Sequence, residues 1–248
     1  MSRFAYVESV GQSEVLLDKD EFRHQAVVLR RRVGDLIELL DGRGSRYRGE
    51  IKKLDKSAKI MQVAITGQET WPQPPGLELL VALPRHRKLD VIIEKAVELG
   101  VTRITPLLTA RTVVRVEQEK KAQARKEHWK KVAIAACKQS GNPFLPEITA
   151  PAPLAQVLAA IPEQPESDSI VLHPPTSGRD CPSLTEMELH PERPTRLAFG
   201  PEGGFSDQEL ELFRSRGWQV AGMGKRILRL ETAVVAGLVQ IQARKQAL

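Results

Sequence analysis

Cysteine is scarce in this chain: Cys137 and Cys181 are the only two in 248 residues, and no C-x-x-C brings them together. That excludes a disulfide framework and points to free thiols in a reducing compartment. No apolar run approaches the roughly 20 residues of a membrane-spanning helix, and Met1-Ser2-Arg3-Phe4 opens no apolar signal segment. The expectation is a cytoplasmic protein without a membrane partner. The five histidines and two cysteines show no ligand spacing, so no metal is expected. Dinucleotide binders place G-x-G-x-x-G after their first strand, whereas the first strand of the α/β region here runs into Leu83-Pro84-Arg85-His86. The segment Gly222-Met223-Gly224-Lys225-Arg226 imitates a phosphate loop, but it lacks the earlier glycine and has Arg226 where a hydroxyl must meet magnesium. G-x-S-x-G, the serine-hydrolase elbow, is missing too, and Ser206 is better used as a helix cap.

What is present is an ordinary globular composition, 41% hydrophobic and 27% charged, with a net charge of +6. The charge makes an anionic partner plausible, nucleic acid first, though a solvated basic surface would give the same number. Residues 1 to about 70 read as β-rich. Val33–Leu40 is a strand before the turn signal Asp41-Gly42-Arg43-Gly44, and Tyr47–Leu54 and Ile60–Ile65 continue the alternation. Lys19–Leu29 has the rhythm of a short helix ending in Arg30-Arg31-Arg32. A small closed barrel with one helix hides the edges of such short strands. Trp71-Pro72-Gln73-Pro74-Pro75-Gly76 cannot continue a ladder, so the expected domains are 1–72 and 73–248. Beyond that linker, strand and helix alternate, which predicts a mainly parallel sheet covered by helices.

The last fifty or so residues concentrate the glycines. Leu197-Ala198-Phe199 leads into Gly200-Pro201-Glu202-Gly203-Gly204, and the apolar run Trp218–Met223 leads into Gly224-Lys225-Arg226-Ile227-Leu228-Arg229. A third strand ends at Leu172-His173-Pro174. Glycine lets a backbone approach a ligand where a Cβ would clash. Three such loops would suit an adenine and ribose held mainly by main chain.

Phe199–Ser206, followed by Met223–Ala233, resembles the signature pair of the ribosomal RNA small subunit methyltransferase E family, of the SPOUT class. The likeness covers nearly the whole chain. Phe22-Arg23-His24, Val33-Gly34-Asp35 and Asp41-Gly42 match the family's PUA-like barrel. Lys88, Glu98-Leu99-Gly100-Val101, Ile104–Leu107, Arg111 and Gln139-Ser140-Gly141 match its catalytic domain. The chain departs from the pattern at Asn142, where family members often carry arginine, and at Leu230, commonly threonine.

The resemblance implies an α/β SPOUT domain with a trefoil knot behind a PUA-like β-barrel. It also implies S-adenosylmethionine as cofactor, N3 of a uridine in 16S rRNA of the small ribosomal subunit as acceptor, and a homodimer. A tRNA or 23S rRNA substrate, and a non-catalytic assembly factor with this fold, are the alternatives. Arg229 is the expected cation facing the base, with Glu202 or Glu231 receiving its proton or fixing the loops. Leu172, His173, Phe199, Gly200, Pro201, Glu202, Gly203, Gly204, Met223, Gly224, Ile227, Leu228 and Thr232 are the expected cofactor contacts. Arg30, Arg31, Arg32, Arg85, Arg87, Lys88 and Arg111 are the expected RNA contacts.

Overall fold

The computed structural model describes residues 4–11, 13–84, 88–112, 119–162, 167–174 and 181–245. The chain divides into two compact units, residues 1–74 with 133–145, and residues 75–132 with 146–248.

In the first unit, β1 (Phe4–Tyr6), β2 (Glu14–Leu17), β3 (Leu36–Leu40), β4 (Ser45–Asp55) and β5 (Ile60–Thr70) form one sheet in the order β1-β3-β4-β5-β2. The β1–β3 pair is parallel and the others antiparallel. Alternation decides the inner face: Val15 and Leu17 are buried along β2 while Glu14 and Leu16 are exposed. Ile37, Leu39, Ile51, Met61 and Val63 join them and pack on Phe22 and Ala26. Those two belong to α1 (Lys19–Phe22) and to the wider π-helical turn Arg23–Val28 that continues it. Asp18 caps α1, its Oδ1 accepting the Glu21 N–H at 2.8 Å.

In the second unit the elements run β6 (Leu77–Ala82), α2 (Lys88–Glu98), β7 (Arg103–Leu108), α3 (Glu119–Ser140), β8 (Glu147–Ile148), β9 (Ala152–Pro153), α4 (Leu154–Ala160), β10 (Asp168–Leu172), β11 (Thr195–Phe199), α5 (Asp207–Ser215), β12 (Gln219–Ala221) and α6 (Leu230–Arg244). The sheet is parallel, ordered β12-β10-β11-β6-β7-β8, with β9 also on β7. Its central strands are covered on both faces, which is why Leu79, Leu80, Val81 and Ala82 form an unbroken apolar run with no exposed surface. Helix α2 buries Leu89, Ile92, Ile93, Ala96 and Val97, one stripe at helical spacing.

Helix α6 buries Leu230, Val234, Gly237, Leu238 and Ile241. A Cβ on Gly237 would lie 2.8 Å from the Phe199 ring, so glycine lets the helix rest directly on the last residue of β11. At its far end Gln242 donates to the Leu99 carbonyl at 2.7 Å, satisfying an open carbonyl at the end of α2. Arg244 donates to the carbonyls of Leu184 and Met187. The last helix therefore bridges α2 and residues 184–187 of the β10–β11 connection.

Helix α3 starts in the second unit and ends in the first. Gly141, at φ 76, donates its N–H to the Cys137 carbonyl at 2.8 Å and stops the helix. Residues 143–145 then run beside the 41–44 turn, with Gly44 N–H to Pro143 O at 3.0 Å and Leu145 N–H to Gly42 O at 2.9 Å. A Cβ on Gly44 would stand 2.6 Å from the Phe144 ring. The glycines of that turn thus admit a neighbour as well as reversing the chain.

Candidate functional site

Leu172 pairs in register with both Phe199 and Ala221, so β10, β11 and β12 end at one level. The segments after them open onto the carboxyl edge of the sheet, where open α/β sheets bind ligands. His173 donates its backbone N–H to the Ala221 carbonyl at 3.0 Å, tying the first segment to the third.

Between β11 and α5 the chain doubles back. Gly204 donates its N–H to the Pro201 carbonyl at 2.8 Å. A Cβ on Gly200 would lie 3.0 Å from the Phe205 nitrogen and 3.1 Å from the Gly204 carbonyl carbon, so no side chain fits in that neck. Gly204 has φ 70, and a Cβ there would approach His173 Cε1 to 3.2 Å. Phe205 is fully buried, its ring edge-on to Phe213 with centroids 5.0 Å apart. Ser206 caps α5 as expected, and with Glu209 it forms a capping box, Ser206 N–H to Glu209 Oε2 at 2.8 Å and Glu209 N–H to Ser206 Oγ at 3.3 Å. Both ends of the 200–204 loop are therefore fixed.

Together these segments enclose a cavity of about 560 Å³, counted out to its mouth. Of the residues expected to contact the cofactor, Leu172, His173, Phe199, Gly200, Pro201, Glu202, Gly204, Met223, Ile227 and Leu228 line it. Gly203, Gly224 and Thr232 are not in its wall. Gly203 turns its carbonyl to Arg111, Gly224 sits exposed in a left-handed turn at φ 96, and Thr232 is exposed on α6. Pro174, Arg226, Leu230 and Ala233 complete the wall and were missed. Leu230 and Ala233 lie three residues apart on the first turn of α6, so helical spacing could have found them.

Glu202 is held at the rim by Lys88, with Nζ 3.1 Å from Oε1. Arg229 precedes α6 as its N-cap residue, exposed, with its carbonyl accepting the Ala233 N–H at 2.8 Å. It stands between the lining residues Leu228 and Leu230 but not in the wall itself. Glu231, in the first turn of α6, has its Oε2 buried with no hydrogen-bond partner among the described residues. Arg111 donates from Nη1 to the Gly203 carbonyl.

Of the N-terminal arginines, Arg30 and Arg32 are exposed, Arg30 at φ 55. Arg31 is half-buried and donates to the Leu36 carbonyl. Arg85 and Arg87 lie outside the described residues. Among the described residues no group of His, Cys, Asp and Glu stands close enough to hold a metal ion, and no helix is long and apolar enough to cross a membrane.

The family described as "RNA methyltransferase domain" matches residues 72–242, and "RNA methyltransferase PUA domain" matches residues 17–61. The chain is 31% identical to the ribosomal RNA small subunit methyltransferase E of Synechocystis over 95% of its length and 75% of that protein. It is 28% identical to the Bacillus subtilis protein of the same name over 92% and 90%. The crystal structure of the Neisseria gonorrhoeae methyltransferase E bound to S-adenosyl methionine superposes with a TM-score of 0.85 at 28% identity, covering 98% of both chains. A putative methyltransferase of Legionella pneumophila, solved with the same cofactor, gives the same values. By sequence and fold, this chain belongs to the RNA methyltransferase family, among the ribosomal RNA small subunit methyltransferases E.

Proposed function

We propose that the protein transfers the methyl group of S-adenosylmethionine to N3 of a uridine in 16S rRNA of the small ribosomal subunit, acting as a cytoplasmic homodimer without a metal. The observation that carries this reading is the meeting of three strand-end segments on one cavity with an apolar wall of Phe199, Met223, Ile227 and Leu228. Apolar side chains beside glycine backbone fit an adenine and ribose held by contact and main-chain hydrogen bonds. The Glu202 carboxylate at the rim has the sign that suits a sulfonium and an amino group. When bound, S-adenosylmethionine supplies a methyl group on positively charged sulfur.

The remaining work falls to the chain. Uracil N3 carries a proton, so the base must become anionic before it attacks. The Arg229 guanidinium, at the head of α6, stabilises the charge that builds on the uracil oxygens. Glu231, whose Oε2 is buried without a hydrogen-bond partner among the described residues, is the carboxylate we assign to receive the proton. Glu202, paired with Lys88, fixes the tip of the glycine loop. Fixing both reactants in line contributes roughly 7–11 kcal/mol in well-oriented cases. Unstacking the uridine costs a few kcal/mol, offset by phosphate contacts from Arg30, Arg31, Arg32, Arg85, Arg87 and Lys88.

A homodimer is supported by an apolar strip on α6. Val239 is 38% exposed, Val235 and Ala236 are half-buried beside it at helical spacing, and Ile227 is 75% exposed just before the helix.

Incubating the protein and S-adenosylmethionine with unmodified small subunits, then analysing digested RNA by mass spectrometry, tests the reading. 3-Methyluridine confined to 16S rRNA is the expected result. Methylation of tRNA or 23S rRNA only, or none at all, would overturn it.

A further inference from the structure

Arg111 is one of the RNA contacts that the family resemblance leads us to expect, yet its surroundings assign it elsewhere. The turn after β7 is internally braced: Thr112 N–H donates to the Thr109 carbonyl at 3.0 Å, Thr109 N–H to Thr112 Oγ1 at 3.0 Å, and the two hydroxyls lie 2.8 Å apart. Ala110 N–H donates to Glu209 Oε1 at 2.7 Å. The other oxygen of that carboxylate closes the capping box of α5 on Ser206. The turn is therefore docked on the start of α5, which sets Arg111 beside the 200–204 loop.

From there Nη1 donates to the Gly203 carbonyl, and Cδ lies 3.3 Å from where a Gly203 Cβ would be. Gly203 does not adopt the left-handed backbone that sets apart Gly204. Its conformation is open to other residues, so what calls for glycine is room for the stem of Arg111. On the neighbouring residue, Lys88 from the start of α2 holds the Glu202 carboxylate. Two cations, from the segments after β6 and β7, thus grip consecutive residues at the tip of the loop.

We propose that Arg111 is a positioning residue for the cofactor cavity: it holds the Gly203 carbonyl and so fixes the tip that brings Pro201 and Glu202 into the wall. This rests on reading that cavity as the S-adenosylmethionine site.

The test is calorimetry with S-adenosylmethionine on the full chain and on R111A, R111K, G203A and R111A/G203A. Alongside it run melting of the ligand-free proteins and the salt dependence of binding to a 16S rRNA fragment. R111A weakens cofactor binding roughly three- to tenfold, the size of one exposed charge-assisted hydrogen bond. R111K recovers most of that, because an ammonium can donate to the same carbonyl. G203A alone produces a similar loss by displacing the stem, and adds nothing in the R111A background. Ligand-free melting and the slope of log affinity against log salt stay as in the wild type.

R111A that binds cofactor normally but loses about one unit of that slope would show a phosphate contact and overturn the proposal. So would a loss of cofactor affinity that R111K does not restore and that accompanies a lowered melting temperature. A wild-type chain that does not bind S-adenosylmethionine would instead overturn the cofactor reading itself.

Discussion

Arg229 and Glu231 share one turn of backbone but have different surroundings. Arg229 is exposed before α6, while Glu231 keeps a carboxylate oxygen out of solvent. If the guanidinium serves the developing anion, R229A lowers single-turnover methylation by about 10²- to 10³-fold and leaves calorimetric cofactor affinity close to wild type. Equal losses in both would place it in cofactor binding instead. The thiols separate in another way. Burial pushes Cys137 up to about 12, whereas Cys181 is partly accessible. We expect a disulfide reagent at pH 8 to modify one thiol in the folded chain and both after unfolding. Because the folded thiol keeps its proton where the unfolded one loses it, this group contributes stability below about pH 8.5, which fades as pH rises from there toward 12. Equilibrium unfolding compared between the native chain and Cys137→Ala at pH 7.5 and 10 measures it. The glycine loops around the cavity were legible in the sequence, because a left-handed turn such as that at Gly204 leaves a mark in residue type. The Lys88–Glu202 pair joins residues 114 apart and leaves no such mark.

Among elements, α3 is the one whose place the sequence did not disclose. Gln139-Ser140-Gly141 closes, and Pro143–Leu145 follows, a 22-residue helix that begins in the second unit, yet both segments lie with the first. What draws them there is contact: Lys138 Nζ meets Glu21 Oε1 at 2.5 Å with both side chains largely buried. Arg46 stacks between Phe4 and Trp71, 4.9 and 5.2 Å from the ring centroids, and donates to the Gly141 carbonyl at 3.3 Å. Breaking a buried pair from one side leaves a charge without its counterion, so E21A destabilises the first unit by about 3 kcal/mol, read as a lowered urea midpoint. A change below about 0.5 kcal/mol would mean that solvent replaces the carboxylate. Most other elements were legible, since β6 and α2 each carry an apolar pattern of their own period. The π-helical turn at Arg23–Val28 was not, because local pattern does not distinguish it from an ordinary helix.

At the scale of the whole molecule, the parallel sheet and the last helix explain why chemistry gathers at the end of the sequence. β10, β11 and β12 finish level, and α6 returns across β11 to α2, so the segments that precede α6 are pinned over the sheet edge. The same helix leaves Val239 toward solvent. A glutamate there would set a charge in the strip that, on the proposed dimer, a second copy covers. We expect V239E to sediment near 27.6 kDa and to lose methylation, and the native chain to sediment at twice that mass. A native chain that sediments as a monomer at working concentration would overturn the dimer.

The most direct test of the central claim is a crystal structure of the chain grown with S-adenosylhomocysteine. The account expects the ligand's adenosine between Leu172–Pro174, the Gly200–Gly204 loop and the Met223–Leu228 segment. A ligand bound away from these residues, or these segments separated from one another, would contradict it.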